Sequence, residues 1–272
     1  MSTLSHWGLE RSPFETTLDP AFFFASEDHS EALARLEFLA RHEGSQLGLL
    51  TGEIGCGKSL TRAVFAQRSV ERRLVAQISS SHYDFPSLMR AVLIQLGVHD
   101  PGPEAGEFDL MERLKEVVLS RRRPAVILFD EAQELDRTGL VGVRALNNLA
   151  DGALDITVIL VGQPELRARV RSLPQLDQRA GLRYHLRPLE ADEVRRYLRW
   201  RLETAGHHDG DLFTNEAVRL ITIASEGIPR QINRIARLSM AVAARRRWIW
   251  VEADDIRAVV DDLADQRGAV VA

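Results

Sequence analysis

The sequence predicts an α/β fold, with a parallel sheet between two layers of helices, followed by a small all-helical domain. Short apolar runs of strand length alternate with segments of helical period as far as Pro188. The first complete strand-to-helix step, from Leu47 through Ser59, passes through a glycine-rich loop. Beyond Pro188 only helical periods remain.

The elements follow in order. The first 25 residues carry turn and aromatic signals: Trp7-Gly8-Leu9, Pro13-Phe14, Asp19-Pro20 and Phe22-Phe23-Phe24. Aromatics at this density need burial, so an ordered arm is expected. Ser26 precedes a helix with Ala32, Leu33, Leu36 and Leu39 on one face. Strands are expected at Leu47 to Thr51, Leu74 to Ile78, Ala125 to Phe129 and Ile156 to Val161, with a short fifth at Tyr184 to Leu186. Helices are expected from Lys58 to Ser69, Phe85 to Leu96, Phe108 to Ser120 and Leu140 to Leu149. Four more follow, at Ala191 to Ala205, Asn215 to Ser225, Pro229 to Arg246 and Ala253 to Leu263. The expected organisation is an N-terminal arm and helix (1–45), an α/β domain (46–188), a helical domain (189–264) and a frayed tail (265–272).

Composition narrows the class. Hydrophobic residues make up 45% and charged residues 27%, as in an ordinary globular protein. The net charge of −4 means that any nucleic-acid contact must come from local basic patches. A single cysteine, Cys56, allows no intrachain disulfide. No secretory leader opens the chain and no run is long enough to span a bilayer, so a cytoplasmic protein is expected. His207-His208 lacks metal-site spacing, and no Cys/His cluster suggests zinc.

Gly52-Glu53-Ile54-Gly55-Cys56-Gly57-Lys58-Ser59, between a strand and a helix, is a P-loop in its full context. Its glycines let main-chain N–H groups turn toward phosphate oxygens, and the following helix start favours an anion. Gly52, Gly55, Cys56, Gly57 and Leu60 belong to the cradle, Lys58 reaches the β- and γ-phosphates of ATP, and Ser59 binds Mg2+. Lys58 is one of only two lysines, the other being Lys115, in a chain that otherwise uses arginine. A compact ammonium suits this loop and a planar guanidinium does not. Cys56, as a small residue of the cradle, is expected to be alkylatable and protected by nucleotide.

Val126-Ile127-Leu128-Phe129-Asp130-Glu131 delivers two carboxylates to the end of a buried strand, where ligands bind in such sheets. Asp130 is expected to hold Mg2+ through water, and Glu131 to polarise the attacking water.

Several runs together resemble AAA+ ATPases of the general secretion pathway protein A (ExeA) type. They are Asp130-Glu131-Ala132-Gln133, Arg144-Ala145-Leu146-Asn147-Asn148-Leu149, Leu160-Val161-Gly162-Gln163-Pro164-Glu165-Leu166 and Gly227-Ile228-Pro229-Arg230-Gln231-Ile232-Asn233. The opening Trp7-Gly8-Leu9, Pro13-Phe14 and Asp19-Pro20 resembles that family's start, so the likeness runs from about residue 6 to 260. It implies a P-loop AAA+ three-layer sandwich with a helical lid. It further implies a polar sensor at the strand end, for which Gln163 is the nearest match although Gly162-Gln163 departs from the usual Asn or Thr. Arg230 resembles the lid arginine that reads the γ-phosphate. An arginine finger from a neighbouring subunit resembles Arg179 or Arg183, with Arg179 favoured, and implies a ring or a helical filament. An arm before the P-loop packs near adenine in related ATPases; Phe14 and Phe22 to Phe24 match that arm, and packing into the core is the competing reading.

The resemblance leaves two partner classes. One is an ATPase that drives assembly of a secretion or envelope complex. Members of that branch carry a membrane span and a wall-binding domain after the ATPase, neither of which occurs before Ala272. The other resembles ATPase subunits of bacterial transposons, which form ATP-dependent filaments on duplex DNA and recruit a transposase. The second is the main expectation. Arg245-Arg246-Arg247-Trp248-Ile249-Trp250, Arg121-Arg122-Arg123 and Arg72-Arg73 supply local charge and stacking groups. The competing reading of Trp248 and Trp250 is a strand with one buried face.

Overall fold

The structure, a computed structural model, describes residues 3–41, 46–79, 84–102, 104–149 and 154–269. It forms two compact units. One comprises Glu27–Ile54 and Lys58–Leu186; the other comprises Met1–Ser26, Gly55–Gly57 and Arg187–Ala272.

The first unit is built on five strands: β1 (Gln46–Gly52), β2 (Leu74–Ser79), β3 (Ala125–Asp130), β4 (Ile156–Gly162) and β5 (Ala180–Leu186). Their spatial order is β2-β3-β4-β1-β5, and every pair is parallel. A parallel sheet needs cover on both faces, so its strands read as continuous apolar runs. β3 and β4 are buried along their whole length. Alternate residues serve opposite faces. Leu47, Leu49, Ile127, Phe129, Val158 and Leu160 share one core with Leu88, Leu93, Leu110, Leu114, Val143 and Leu146 from the helices Phe85–Gln95, Glu107–Arg121 and Arg137–Leu149. Leu50, Val126, Leu128, Ile159 and Val161, of the opposite parity, are equally buried. Because the strands run the same way, their C-terminal ends emerge at one edge. Thr51 lies beside Gly162, and Gly52 beside Leu186.

The fold is the α/β three-layer arrangement with a helical region after it, as expected. Three details differ. β5 starts at Ala180 rather than Tyr184, because this edge strand is half exposed and its polar residues break the apolar run. Two helices, Glu165–Arg171 and Pro174–Asp177, are too short to show a period. The last helix, Ala253–Ala269, runs six residues past its expected end at Leu263 into the segment read as frayed tail. That stretch contains the good helix formers Ala264, Gln266 and Arg267.

The second unit packs the helices Ala191–Thr204, Asn215–Ser225, Pro229–Arg245 and Ala253–Ala269 around Val194, Leu198, Leu202, Ile221, Ile232, Ala236, Met240 and Ile256. Thr214 caps the second helix by accepting from the Ala217 N–H at 3.3 Å. Glu190 and Glu193 form a reciprocal capping box on the first. The N-terminal arm belongs to this core. Trp7, Phe14 and Phe22 are buried. The Trp7 indole donates to the Met240 carbonyl at 3.2 Å, and Phe14 meets Phe213 edge to face. The arm aromatics thus serve the core of the helical unit.

Arg201 fastens that arm. It is buried, and its guanidinium donates to the Pro13 carbonyl and, at 2.7 Å, to the Glu15 carbonyl. It also stacks 4.5 Å from the Phe22 ring centroid. Burial pulls its pKa below the usual arginine value and pushes the neighbouring Tyr197 hydroxyl up. Arg201→Met keeps the apolar stem and strips the donors from two main-chain carbonyls. We expect it to lower unfolding stability by about 2–4 kcal/mol in urea titration.

Candidate functional site

The site is assembled at the C-terminal edge of the sheet. β1 ends at Gly52, and the chain returns through Glu53 to Gly57 into the helix Lys58–Ser69. Gly55 and Gly57 have φ of +91° and +95°, a region open to glycine at little cost. Lys58 is buried, and its ammonium donates to the Gly52 carbonyl at 2.7 Å and the Glu53 carbonyl at 2.9 Å. The cation is therefore held on the loop's own main chain. Ser59 and Leu60 follow, both partly buried, in the first turn of the helix.

Asp130 is the last residue of β3 and only 6% exposed. One strand, β4, separates β3 from β1. At roughly 4.8 Å per strand spacing, the two strand ends stand about 10 Å apart. Arg62, one turn beyond Lys58, places its Nε 3.2 Å from Asp130 Oδ2, and its Nη1 donates to Gln77 Oε1 at 3.0 Å. Sequence reasoning missed Arg62. The available signal was its position four residues after Lys58, on the same helix face. Glu131 follows with φ +49°, exposed, and its N–H donates to Asp130 Oδ1 at 3.1 Å.

Gln163 directly follows β4. Its main-chain N–H donates to Gln133 Oε1 at 3.0 Å. Gln133 Nε2 in turn donates to Glu131 Oε2 at 2.7 Å. Lys58, Ser59, Asp130, Glu131 and Gln163 thus share one edge of the sheet. Arg179 does not join them. It precedes β5, whose first residue, Ala180, pairs with Leu47. A seven-residue strand puts it about 20 Å away, at the opposite edge. Arg183 is exposed and paired with Asp177 at 2.9 Å. Arg230 stands in the helical unit, at the second position of the helix Pro229–Arg245, with its side chain exposed. Its N–H donates to the Gly55 carbonyl at 3.2 Å.

Cys56 corrects an expectation. Its side chain is 0% exposed, because the two left-handed glycines that flank it turn the residue inward. An inaccessible thiol does not react. In native protein, iodoacetamide labelling followed by mass spectrometry should be slow with or without ATP, and rapid only after unfolding.

The arginine-rich segments diverge. Arg123 donates to the Val70 and Arg73 carbonyls at 2.6 and 3.0 Å, and Arg73 to the Ala40 carbonyl at 3.2 Å, so both serve the fold. Trp248, Ile249 and Trp250 are 37%, 75% and 47% exposed. They form a turn rather than a strand, because Arg247 adopts φ +59° and reverses the chain. Arg246 stacks 5.1 Å from the Trp248 centroid and pairs with Asp255 at 2.9 Å.

Residues 41–170 match the AAA domain family. The chain is similar to general secretion pathway protein A of Aeromonas hydrophila, 35% identical over 245 residues; the alignment covers 88% of this chain and 44% of that protein. The chain therefore spans less than half the length of this relative. Its fold resembles that of the Aeropyrum pernix ORC2 protein in its ADPNP-ADP complexes, with a TM-score of 0.73 at 19% identity over 93% of this chain and 71% of that one. The Aeropyrum pernix ORC1 protein, solved in complex with DNA, matches with a TM-score of 0.68 at 20% identity over 90% and 68%. Among the described residues no helix is long and apolar enough to cross a membrane.

Proposed function

We propose that this chain, which carries an AAA domain within an AAA+ fold, binds ATP with Mg2+ and hydrolyses it in an oligomer, and that its nucleotide state controls assembly on duplex DNA with a recombination or transposition partner. One observation carries the chemistry. The loop with Lys58 and Ser59 and the pair Asp130-Glu131 emerge at the same sheet edge from strands separated only by β4.

The residues fit the groups they would hold. Gly55 and Gly57 open the loop's main chain for phosphate oxygens, and Lys58 exchanges loop carbonyls for the β- and γ-phosphates. The Ser59 hydroxyl and the Asp130 carboxylate are hard oxygen donors suited to Mg2+. When bound, the metal neutralises charge on the phosphates. Arg62 holds the Asp130 carboxylate in place from the same helix. Glu131 orients and polarises the attacking water, and Gln163 supports it from the neighbouring strand end. Arg230 reads the γ-phosphate. Arg179, remote from its own site, reaches that of the next subunit.

The DNA partner is supported by the exposed Trp248-Ile249-Trp250 turn beside Arg245 and Arg247. A second reading, assembly of a secretion or envelope complex from the cytoplasmic side, is favoured by the likeness to general secretion pathway protein A. Electron microscopy with ATP, with and without duplex DNA, separates them. Filaments or rings that need DNA support the first reading. Absence of DNA binding at low salt rejects it in favour of the second.

A further inference from the structure

We infer that Gln133 is a positioning residue that holds the Glu131 carboxylate and ties it to the main chain at the end of β4; this rests on the proposed role of Glu131. Glu131 stands exposed at φ +49°, just past the end of β3. Nothing in its own backbone fixes where its carboxylate points, and a long exposed side chain samples several rotamers. Gln133 supplies the restraint. Its Nε2 donates to Glu131 Oε2 at 2.7 Å, while its Oε1 accepts from the Gln163 N–H at 3.0 Å. One amide therefore bridges the ends of two adjacent strands. The Gln163 N–H fixes which end of the amide is the acceptor, so the donor end must face Glu131.

Two further contacts show that the bridge is built into the fold. The Gln133 carbonyl accepts from the Arg169 guanidinium, on the helix that follows β4. Gly162 lies against the amide. A Cβ there would stand 2.5 Å from Gln133 Oε1 and 3.3 Å from the Gln133 main-chain nitrogen, so a side chain at 162 forces the bridging oxygen out of its position. This accounts for glycine at the end of β4. It also changes how the Gly162-Gln163 step works: the β4 end acts on Glu131 through a main-chain N–H, relayed by Gln133. A glutamine meets the need because it offers one donor and one acceptor on a rigid plane. A glutamate at 133 would set two carboxylates against each other.

The test is single-turnover ATP hydrolysis with ATP affinity measured in parallel. Gln133→Ala should slow hydrolysis on the order of 10- to 100-fold while the Kd for ATP stays within about twofold. Gly162→Ala should give a loss of similar size, and the double variant should be no slower than the worse single one, since both remove the same bridge. Gln133→Glu should fail to rescue. Additive losses in the double variant, or a fall in ATP affinity that matches the fall in rate, would overturn the positioning role. Wild-type hydrolysis by Gln133→Ala beside a slow Glu131→Gln overturns it alone. Wild-type hydrolysis by both overturns the role of Glu131 and takes this inference with it.

Discussion

Glu131→Gln should bind ATP as the parent does and hydrolyse it roughly 10²- to 10⁴-fold more slowly in a single turnover, the range for loss of a positioned general base. The substitution keeps size and shape. It also keeps an oxygen on the end of the side chain, so the bond from Gln133 is preserved and the left-handed backbone at 131 is undisturbed. Only the capacity to draw a proton from water is lost. The phosphate cradle stands on a different strand, β1, and does not depend on residue 131. Equilibrium binding of a fluorescent ATP analogue should therefore be unchanged, and the stalled complex should accumulate in its ATP-bound assembly. Hydrolysis at the parental rate would remove Glu131 from the chemistry.

Arg179→Ala should slow hydrolysis by 10³- to 10⁵-fold in assembled protein, the range seen when an arginine finger is absent. The residue immediately precedes β5, while the strand ends that carry Gly52 and Asp130 lie at the other edge. It can act only on another subunit, and this gives the prediction a distinctive form. Mixing inactive Arg179→Ala subunits with inactive Glu131→Gln subunits should restore turnover. An Arg179→Ala subunit keeps its own Glu131 and borrows a guanidinium from its Glu131→Gln neighbour. Mixtures that stay inactive under conditions of full assembly would exclude Arg179. Arg183 then becomes the candidate, although its pairing with Asp177 must first be broken.

The legible parts of the molecule were those in which local pattern and tertiary demand agree. β1, β3 and β4 must be apolar on both faces, so their positions show as mostly apolar runs rich in Leu, Ile and Val. β5 needs only one buried flank, and Gly181 and Arg183 break the apolar pattern of its first half. The P-loop and Asp130-Glu131 could be read because their residue types and spacing follow from phosphate and metal chemistry. Cys56 could not be placed, since its direction depends on the left-handed turns at Gly55 and Gly57 and not on its own identity. Arg62 and Gln133 were missed for another reason. Their roles arise only when the helix Lys58–Ser69 and the ends of β3 and β4 come together, and no local window contains that juxtaposition.

The helical unit is discontinuous in sequence, and this sets an order on its synthesis. Trp7 leaves the ribosome early, but its Met240 partner lies 233 residues downstream. At ~5–20 residues per second, the wait is on the order of 10 to 50 seconds. Throughout that interval Trp7 and Phe14 have no core to enter, while every strand of the sheet unit is already out once residue 186 has emerged. The nascent chain thus presents an aromatic N-terminal segment beside a sheet free to fold, and that segment is where a chaperone would be needed during translation.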